Sequence, residues 1–468
     1  MINEFVSLVN NILWGDGQVL IIMLLACGIW FTVKLGGVQL RHFGHMFSLL
    51  KGSNTSTKDG ISSFQALCTS LSARVGTGNL AGVAVAISLG GAGAIFWMWM
   101  IALLGMATGF AESVLGQLYK VRDENGEFRG GPAYYIKQGL NKTWLAVAFS
   151  LCLFFGYGFV FSAVQANTIT DALNNAYSFP TEYVGLAIIA LAALIVVGGL
   201  KSIARFAEFV VPFMGIGYVL VALAITFINI SELPAMLLDI VKSAFGLQEA
   251  GAGALGAAIK NGIQRGLYSN EAGSGSVPHA AASAVPNPNH PVSQGYIQML
   301  GVFLDTLVLC TSTAFIILLA GGSSSDQMEG IRLTQDAMSS HLGEGGTDFV
   351  AAAISLFAFT SVVANYAYGE SNLHMFKLDN KIGRAVYTIG YLGMIYWGAQ
   401  AALPQVWAMA DMALGLMTVI NIIAIVWMTP TIVSISKDYF KKKDSSANME
   451  YKAGDCEIQG KSEDGIWD

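Results

Sequence analysis

Ser72-Ala73-Arg74-Val75-Gly76-Thr77-Gly78-Asn79 and Tyr268-Ser269-Asn270-Glu271-Ala272-Gly273-Ser274-Gly275-Ser276 interrupt two otherwise apolar stretches near their middles, one in each half of the chain. Hydrocarbon offers a backbone amide no partner, so a chain that leaves the helix inside a bilayer must find partners in protein, water or ligand. Two such breaks at matching places are the sequence pattern of a ligand site in the middle of a membrane bundle.

The composition fits that setting. Of 468 residues 54% are hydrophobic, 12% are charged and 53 are glycine, which is not the balance of a soluble globular protein. Residues 1–17 carry Glu4 and Asp16 but no Lys or Arg, so the basic start of a secretory signal peptide is missing and the first span is expected to stay. Cys27, Cys68, Cys152 and Cys310 fall in spans and Cys456 near the end, without a CxxC or Cys/His pattern, and read as small packing residues.

Hydropathy and length place eleven crossings, near 18–36, 62–88, 93–119, 143–165, 183–200, 206–229, 252–284, 295–320, 348–366, 386–403 and 405–432. Short cytoplasmic loops collect Lys and Arg. The connections of one parity hold Arg41, Lys51 and Lys58, then Lys120, Arg122, Arg129, Lys137 and Lys142, then Lys201 and Arg205, then Lys377, Lys381 and Arg384, with a lysine-rich end after 433. Only Lys242 and Arg332 fall in the opposite set. The expectation is an all-α polytopic membrane protein with its amino terminus outside and its carboxyl terminus inside.

Setting the first span aside leaves ten, which divide as five plus five. The breaks fall in the first member of each five, and because five is odd the second set enters from the opposite side, an inverted repeat. The predicted organisation is an extracytoplasmic amino terminus (1–17), an extra first helix with its cytoplasmic loop (18–61), one five-helix repeat (62–229), a second (252–432) and a cytoplasmic tail (433–468). The tail is polar and reads as flexible.

Glycines at 76 and 78 allow cheap unwinding and close approach of backbone. The half-helix that follows points the N–H groups of Thr77, Gly78 and Asn79 into the gap, which suits a carboxylate. Unwound carbonyls around Tyr268, Ser269, Asn270 and Glu271 suit an ammonium group, and two intramembrane amides, Gln165 and Asn365, are further candidates for a ligand or for bracing helices.

Val75-Gly76-Thr77-Gly78-Asn79-Leu80-Ala81-Gly82, followed by Gly90-Gly91-Ala92-Gly93-Ala94-Ile95-Phe96-Trp97-Met98-Trp99-Met100, resembles the signature region of the alanine or glycine:cation symporters, also called the sodium:alanine symporter or amino acid carrier protein family. Gly130-Gly131-Pro132-Ala133-Tyr134-Tyr135-Ile136 and Ser269-Asn270-Glu271-Ala272-Gly273 are similar to that family as well, and the likeness covers nearly the whole chain short of its end. The resemblance implies the leucine-transporter (LeuT) fold, a 5+5 inverted repeat, preceded by one extra helix. It implies Na+ as coupling ion, held by the carbonyls of Ser72, Val75 and Phe357 and the hydroxyls of Thr360 and Ser361. Small neutral amino acids, alanine and glycine, are the substrates it implies. The Phe96-Trp97-Met98-Trp99 run itself reads as an interfacial anchor.

Arg74, Glu112, Lys260, Arg265, Glu271, Asp305 and Asp411 fall inside spans, where each lone charge costs about 2.5–3.5 kcal/mol on insertion scales. Arg74 is expected to pair with Glu271 or Glu112, and Lys260 and Arg265 to snorkel or to line an external vestibule. Residues 40–50 read as an amphipathic surface helix in which His42 and His45 are poor metal ligands. The reading is a sodium-coupled symporter in the inner, or cytoplasmic, cell membrane, with the lipid bilayer as solvent and neither nucleic acid nor an obligate protein partner. Alternatives are coupling to protons through Glu112 or Asp305, a larger amino acid, or a channel or sensor on the same scaffold. No enzyme motif lies in the spans.

Overall fold

The computed structural model describes residues 2–15, 18–53, 60–123, 126–247, 251–321, 330–445 and 449–467, so Asp16, Gly17 and Lys58 lie outside the described residues. Helices dominate. Among the described residues six are long and apolar enough to cross a membrane: Gly93–Leu118, Thr143–Tyr177, Gly199–Ile228, Pro291–Leu319, Gly345–Met375 and Leu403–Trp427. The pair Asn3–Trp14 and Val19–Lys34, bent by 41°, would add a seventh. This is the make-up of a multi-pass, all-α membrane protein.

The two interrupted stretches lie inside a mainly apolar core, and the outside of the bundle is apolar as well. Residues 66–84 and 262–284 are buried without a gap, and these are the two interrupted stretches. Phe209, Phe213, Leu220 and Phe227 of helix Gly199–Ile228 stand exposed at 60–80%, as a lipid-facing surface requires.

The first broken helix starts at Ser63 because Ser62 and Gln65 form a reciprocal capping box (Gln65 N–Ser62 Oγ 3.1 Å, Ser62 N–Gln65 Oε1 3.0 Å). Helix Ser63–Arg74 ends at Val75, and a wide π-helical turn, Gly78–Gly82, leads into Val83–Gly90. The second runs Gly251–Asn270, opens over Glu271–Ser276, and resumes as Val277–Ser283. Ile61–Ser62 pairs in parallel with Ala284–Val285, so the strand entering the first broken helix is tied to the strand leaving the second. That bridge holds the two interrupted helices side by side at one end.

Several expectations change. The carboxyl-terminal segment is not loose: residues 449–467 pack back on the bundle, with Tyr451 and Trp467 buried and the Trp467 indole donating to Leu118 O at 3.2 Å. Residues 40–50 form two short helices, Val38–Arg41 and Phe43–Ser48, rather than one, and their histidines hydrogen-bond tyrosines (His42 Nδ1–Tyr296 Oη 2.6 Å, His45 Nε2–Tyr439 Oη 2.9 Å). Ile2–Trp14 is a helix laid against the last long helix through Asn10 and Trp14. Trp97 and Trp99 donate to Ala244 O and Thr311 Oγ1, in keeping with a structural anchor.

Candidate functional site

At the first break the glycines serve clearance. Gly76 and Gly78 keep ordinary negative φ. A Cβ on Gly76 would collide with Ser361 Oγ and lie 2.6 Å from Gln165 Oε1, and one on Gly78 would lie 3.2 Å from Ser269 Cα. The two breaks therefore touch, and Gly78 is where they do.

The freed amides of this break are met by side-chain amides. Gln165 Oε1 accepts from Thr77 N at 2.9 Å and from Thr77 Oγ1 at 2.8 Å, while Asn79 Oδ1 accepts from Gly76 N at 3.0 Å. Gln165 thus puts a planar sp² oxygen on the first of the three donors assigned to a carboxylate, Thr77, while the Asn79 N–H bonds Gly76 O at 3.2 Å. Helix Phe161–Tyr177 carries Gln165 inward just after a second wide turn, Gly156–Val160.

Arg74, Gln165, Tyr268, Glu271 and Asn365 line one small enclosed cavity of about 10 Å³ together with Ala73, Tyr157, Phe161 and Leu414. Tyr268 Oη, Asn365 Oδ1 and two guanidinium nitrogens of Arg74 (Nε and Nη2) have no hydrogen-bond partner although buried. Orphaned polar atoms around a cavity are what a polar ligand or water would satisfy. Tyr268 also packs obliquely against Trp407 at 4.8 Å, and the Arg265 guanidinium lies over the Trp407 ring at 4.4 Å. Of the two arrangements expected, Arg265 does not snorkel, being held by a buried ion pair to Asp411 (2.8 Å); Lys260 is exposed, and both line a wider cleft of about 760 Å³ beside Asn10 and Gln405.

The second break is built differently. Gly273 and Gly275 have φ of +93° and +86°, a region closed to most side chains, and Glu271 stands at +57°. Both oxygens of Glu112 reach this segment, accepting from Gly273 N at 3.0 Å and Gly275 N at 3.2 Å. Asn421 donates to Glu112 Oε2 at 2.7 Å and to Gly273 O at 3.0 Å. Glu271 accepts from Ser276 Oγ at 2.6 Å. Glu112 and Glu271 are thereby occupied with the break itself.

One expectation, an Arg74 ion pair, is corrected here, and the side chains of Asn270 and Ser269 are placed. Among the described residues Arg74 makes no ion pair within 4 Å with Glu271 or Glu112; its one hydrogen bond is to Gln298 O at 3.5 Å. Asn270 does not face the cavity, because its Oδ1 caps the Ala272 N–H at 3.0 Å. The hydroxyl of Ser269 turns to the Asp305 carboxyl instead. Phe161, Tyr157 and Leu414 were missed; only the Gly156-Tyr157-Gly158 triplet offered a signal for one of them.

Four of the five oxygens assigned to sodium are drawn together, and Ser72 joins them through its hydroxyl rather than through the assigned carbonyl. Ser361 Oγ lies 3.2 Å from Phe357 O and 3.4 Å from Val75 O, Thr360 Oγ1 lies 2.8 Å from Phe357 O, and Ser72 Oγ donates to Thr360 O at 2.8 Å. Both hydroxyls bond back to their own helix, and Ser361 also reaches across to the first break. Neutral hard oxygens without a carboxylate fit a weakly held alkali cation.

The model of the sodium:alanine symporter family matches residues 1–453. The chain belongs to that family. Relatives include the probable sodium/glutamine symporter GlnT of Bacillus subtilis (strain 168), 46% identical over 444 residues, which are 95% of this chain and 92% of the relative. The putative sodium/proton-dependent alanine carrier protein YrbD of the same organism is 41% identical, covering 94% of this chain and 93% of the relative. The sodium/alanine symporter AgcS of Methanococcus maripaludis is 37% identical, covering 95% and 99%. Membership makes the chain an amino acid symporter, a transporter rather than an enzyme, in a family named for sodium coupling.

Proposed function

We propose that the protein carries small neutral amino acids, alanine and glycine, into the cell with sodium across the cytoplasmic membrane, by alternating access of a LeuT-like 5+5 repeat. In this reading there are eleven spans, amino terminus out and carboxyl terminus in, and the extra first helix lies outside the repeat. The substrate carboxylate takes the Thr77 donors that Gln165 holds, and the ammonium meets oxygens near Tyr268 and Asn365. Sodium sits among Ser72, Val75, Phe357, Thr360 and Ser361.

The observation that carries the proposal is the span of three residues from Val75 to Thr77. Val75 O faces Ser361 on one side, and Thr77 N faces the cavity through Gln165 on the other. An ion that fixes the Val75 carbonyl also fixes the orientation of the Thr77 amide two residues on. Coupling needs that differential effect between ion-bound and ion-free states.

The enclosed cavity is smaller than any amino acid, so binding requires Tyr268, Phe161 and Leu414 to move apart. How far they move sets the size limit. The relative named for glutamine makes a larger substrate the second reading, and the relative named sodium/proton-dependent raises the proton alternative.

The test is uptake of labelled alanine into proteoliposomes under imposed sodium and pH gradients applied separately, with a panel of amino acids as competitors. Sodium-driven uptake inhibited by glycine and alanine, and not by glutamine, is expected. In Thr360→Ala or Ser361→Ala the sodium concentration for half-maximal uptake should rise about 10- to 100-fold, as loss of a cation-site group does. Uptake that follows the pH gradient alone would replace sodium by protons.

A further inference from the structure

Residues 449–467 form a loop that is closed at its own neck. There Ala453 N donates to Trp467 O at 2.6 Å, and the Tyr451 and Trp467 rings meet edge to face at 5.6 Å. At the tip Gln459 N donates to Thr431 Oγ1 at 2.9 Å and Lys461 N to Gln138 O at 3.4 Å, with Gly460 between them at a φ of +65°. A Cβ on Gly460 would collide with Gln138 O, so the tip seats because glycine stands there.

Neck and tip hold opposite sides of one seam. Trp467 lies 4.9 Å from Lys120 Nζ, and Lys120 donates at 3.0 Å to the carbonyl of Ala284, the residue that follows half-helix Val277–Ser283. Phe128 also faces this buried ammonium, at 4.0 Å, so losing one ring weakens the joint without emptying it. Tyr451 N adds a bond to Asn289 O at 2.9 Å, further along the same stretch. The tip rests instead on helix Pro132–Leu140, whose Tyr134 Oη donates at 3.0 Å to Ser371 O of helix Gly345–Met375. Between the two sides His279 Nδ1 and Ser371 Oγ lie 2.9 Å apart, half-helix against long helix. The loop thus spans, by a longer route, the contact that His279 and Ser371 make directly.

We infer that residues 449–467 are an inner latch, seated while this end of the bundle is closed and released as a step in opening it. Half-helix Val277–Ser283 begins where the second break ends, at Ser276. A latch acting on its far end therefore governs whether the break can be reached from that side. It needs no contact with the amino acid. Contacts made only in the closed arrangement bias the equilibrium between closed and open ends, and weakening them favours the open one. This rests on the alternating-access reading above.

The experiment uses the purified full-length chain in proteoliposomes, with Ser371→Cys as a reporter placed in the seam. Its modification by a water-soluble maleimide is timed by peptide mass spectrometry at residue 371, which lets the native cysteines stay. Trp467→Ala loosens the neck and Gly460→Ala unseats the tip, each added to the reporter separately. Each should speed labelling about 5- to 30-fold, as loss of one or two ordinary contacts from the closed state would. The melting temperature should stay that of the reporter chain, which a loop of merely structural value would not allow. Labelling at the reporter's own rate in either variant overturns the latch, and so does faster labelling that comes only with a lowered melting temperature. A reporter whose labelling ignores both NaCl and alanine overturns the alternating-access reading instead.

Discussion

The two breaks face one problem, free backbone amides in a dry interior, and meet it with different groups. At the first, side-chain amides serve: Gln165 on Thr77 and Asn79 on Gly76. At the second, the carboxyl group of Glu112, carried by another helix, takes Gly273 and Gly275 together. An amide oxygen is a weaker acceptor than a carboxylate, so an incoming carboxylate can displace Gln165, and nothing comparable displaces Glu112. The first break is exchangeable and the second is framework. The glycines divide the same way: 76 and 78 give clearance, while 273 and 275 give a backbone conformation.

Glu112→Ala tests the framework side and should have the largest effect. It strips acceptors from two backbone amides and from Asn421, and each buried donor left unpaired costs about 1–3 kcal/mol. A large drop in melting temperature in detergent is expected, with or without sodium. A variant that melts like the wild type would show that the second break does not depend on Glu112.

Gly76→Ala tests the exchangeable side. The added methyl meets side chains, Ser361 Oγ and Gln165, which can turn away. The fold should survive while the sodium midpoint for alanine binding rises about 10-fold or more. A loss of stability with sodium affinity preserved would reverse the assignment of the two breaks.

Gln165→Glu sharpens the same point. A fixed carboxylate on Thr77 should compete with the substrate carboxylate and weaken alanine binding by about 10-fold, the effect of about 1.4 kcal/mol. Sodium-induced stabilisation should remain. Alanine affinity equal to the wild type would mean that Gln165 does not occupy the carboxylate position. Gly273→Ala should act on the other break more mildly, costing about 1–2 kcal/mol in stability through its φ of +93° and leaving the sodium midpoint unchanged.

How much of this was legible depends on range. The breaks themselves, Thr360-Ser361, Gln165 and Asn365 stand out because small or polar residues are conspicuous in apolar stretches. What they touch is not conspicuous. Glu112 and Gly273 are 161 positions apart, and Arg265 and Asp411 146 apart, so their pairing follows from how helices assemble and not from any local pattern. Arg74 and Glu271 flank the breaks and invited pairing, yet Glu271 is taken by Ser276, and no rule of spacing foretells that competition. Phe161 and Leu414 wall the cavity as ordinary apolar residues of ordinary helices.

The tail misleads sequence reading for a further reason. Residues 433–468 hold too few apolar side chains for a core of their own, which is why they read as flexible, but Tyr451 and Trp467 need only a preformed surface. Trp467 donates to Leu118 O and lies 4.9 Å from Lys120 Nζ, and Lys120 in turn donates to Ala284 O, on the strand that leaves the second broken helix. Tyr451 N donates to Asn289 O at 2.9 Å and its ring meets His290. The tail therefore closes over the framework side, and Trp467→Ala should free it locally, raising cleavage by protease between 449 and 467 with little change in global melting. Burial pushes His290 down to about 4 from 6.5, against the pull of Asp438 at 3.2 Å and with Lys442 and Asp455 also facing it. A histidine that stays neutral when packed and takes a proton when released makes packing weaker as pH falls through that window. Protease cleavage of the wild-type tail should rise between pH 6.5 and 4 and be less pH-dependent in His290→Asn. A tail equally protected across that range would detach His290 from the joint and leave Trp467 to hold it alone.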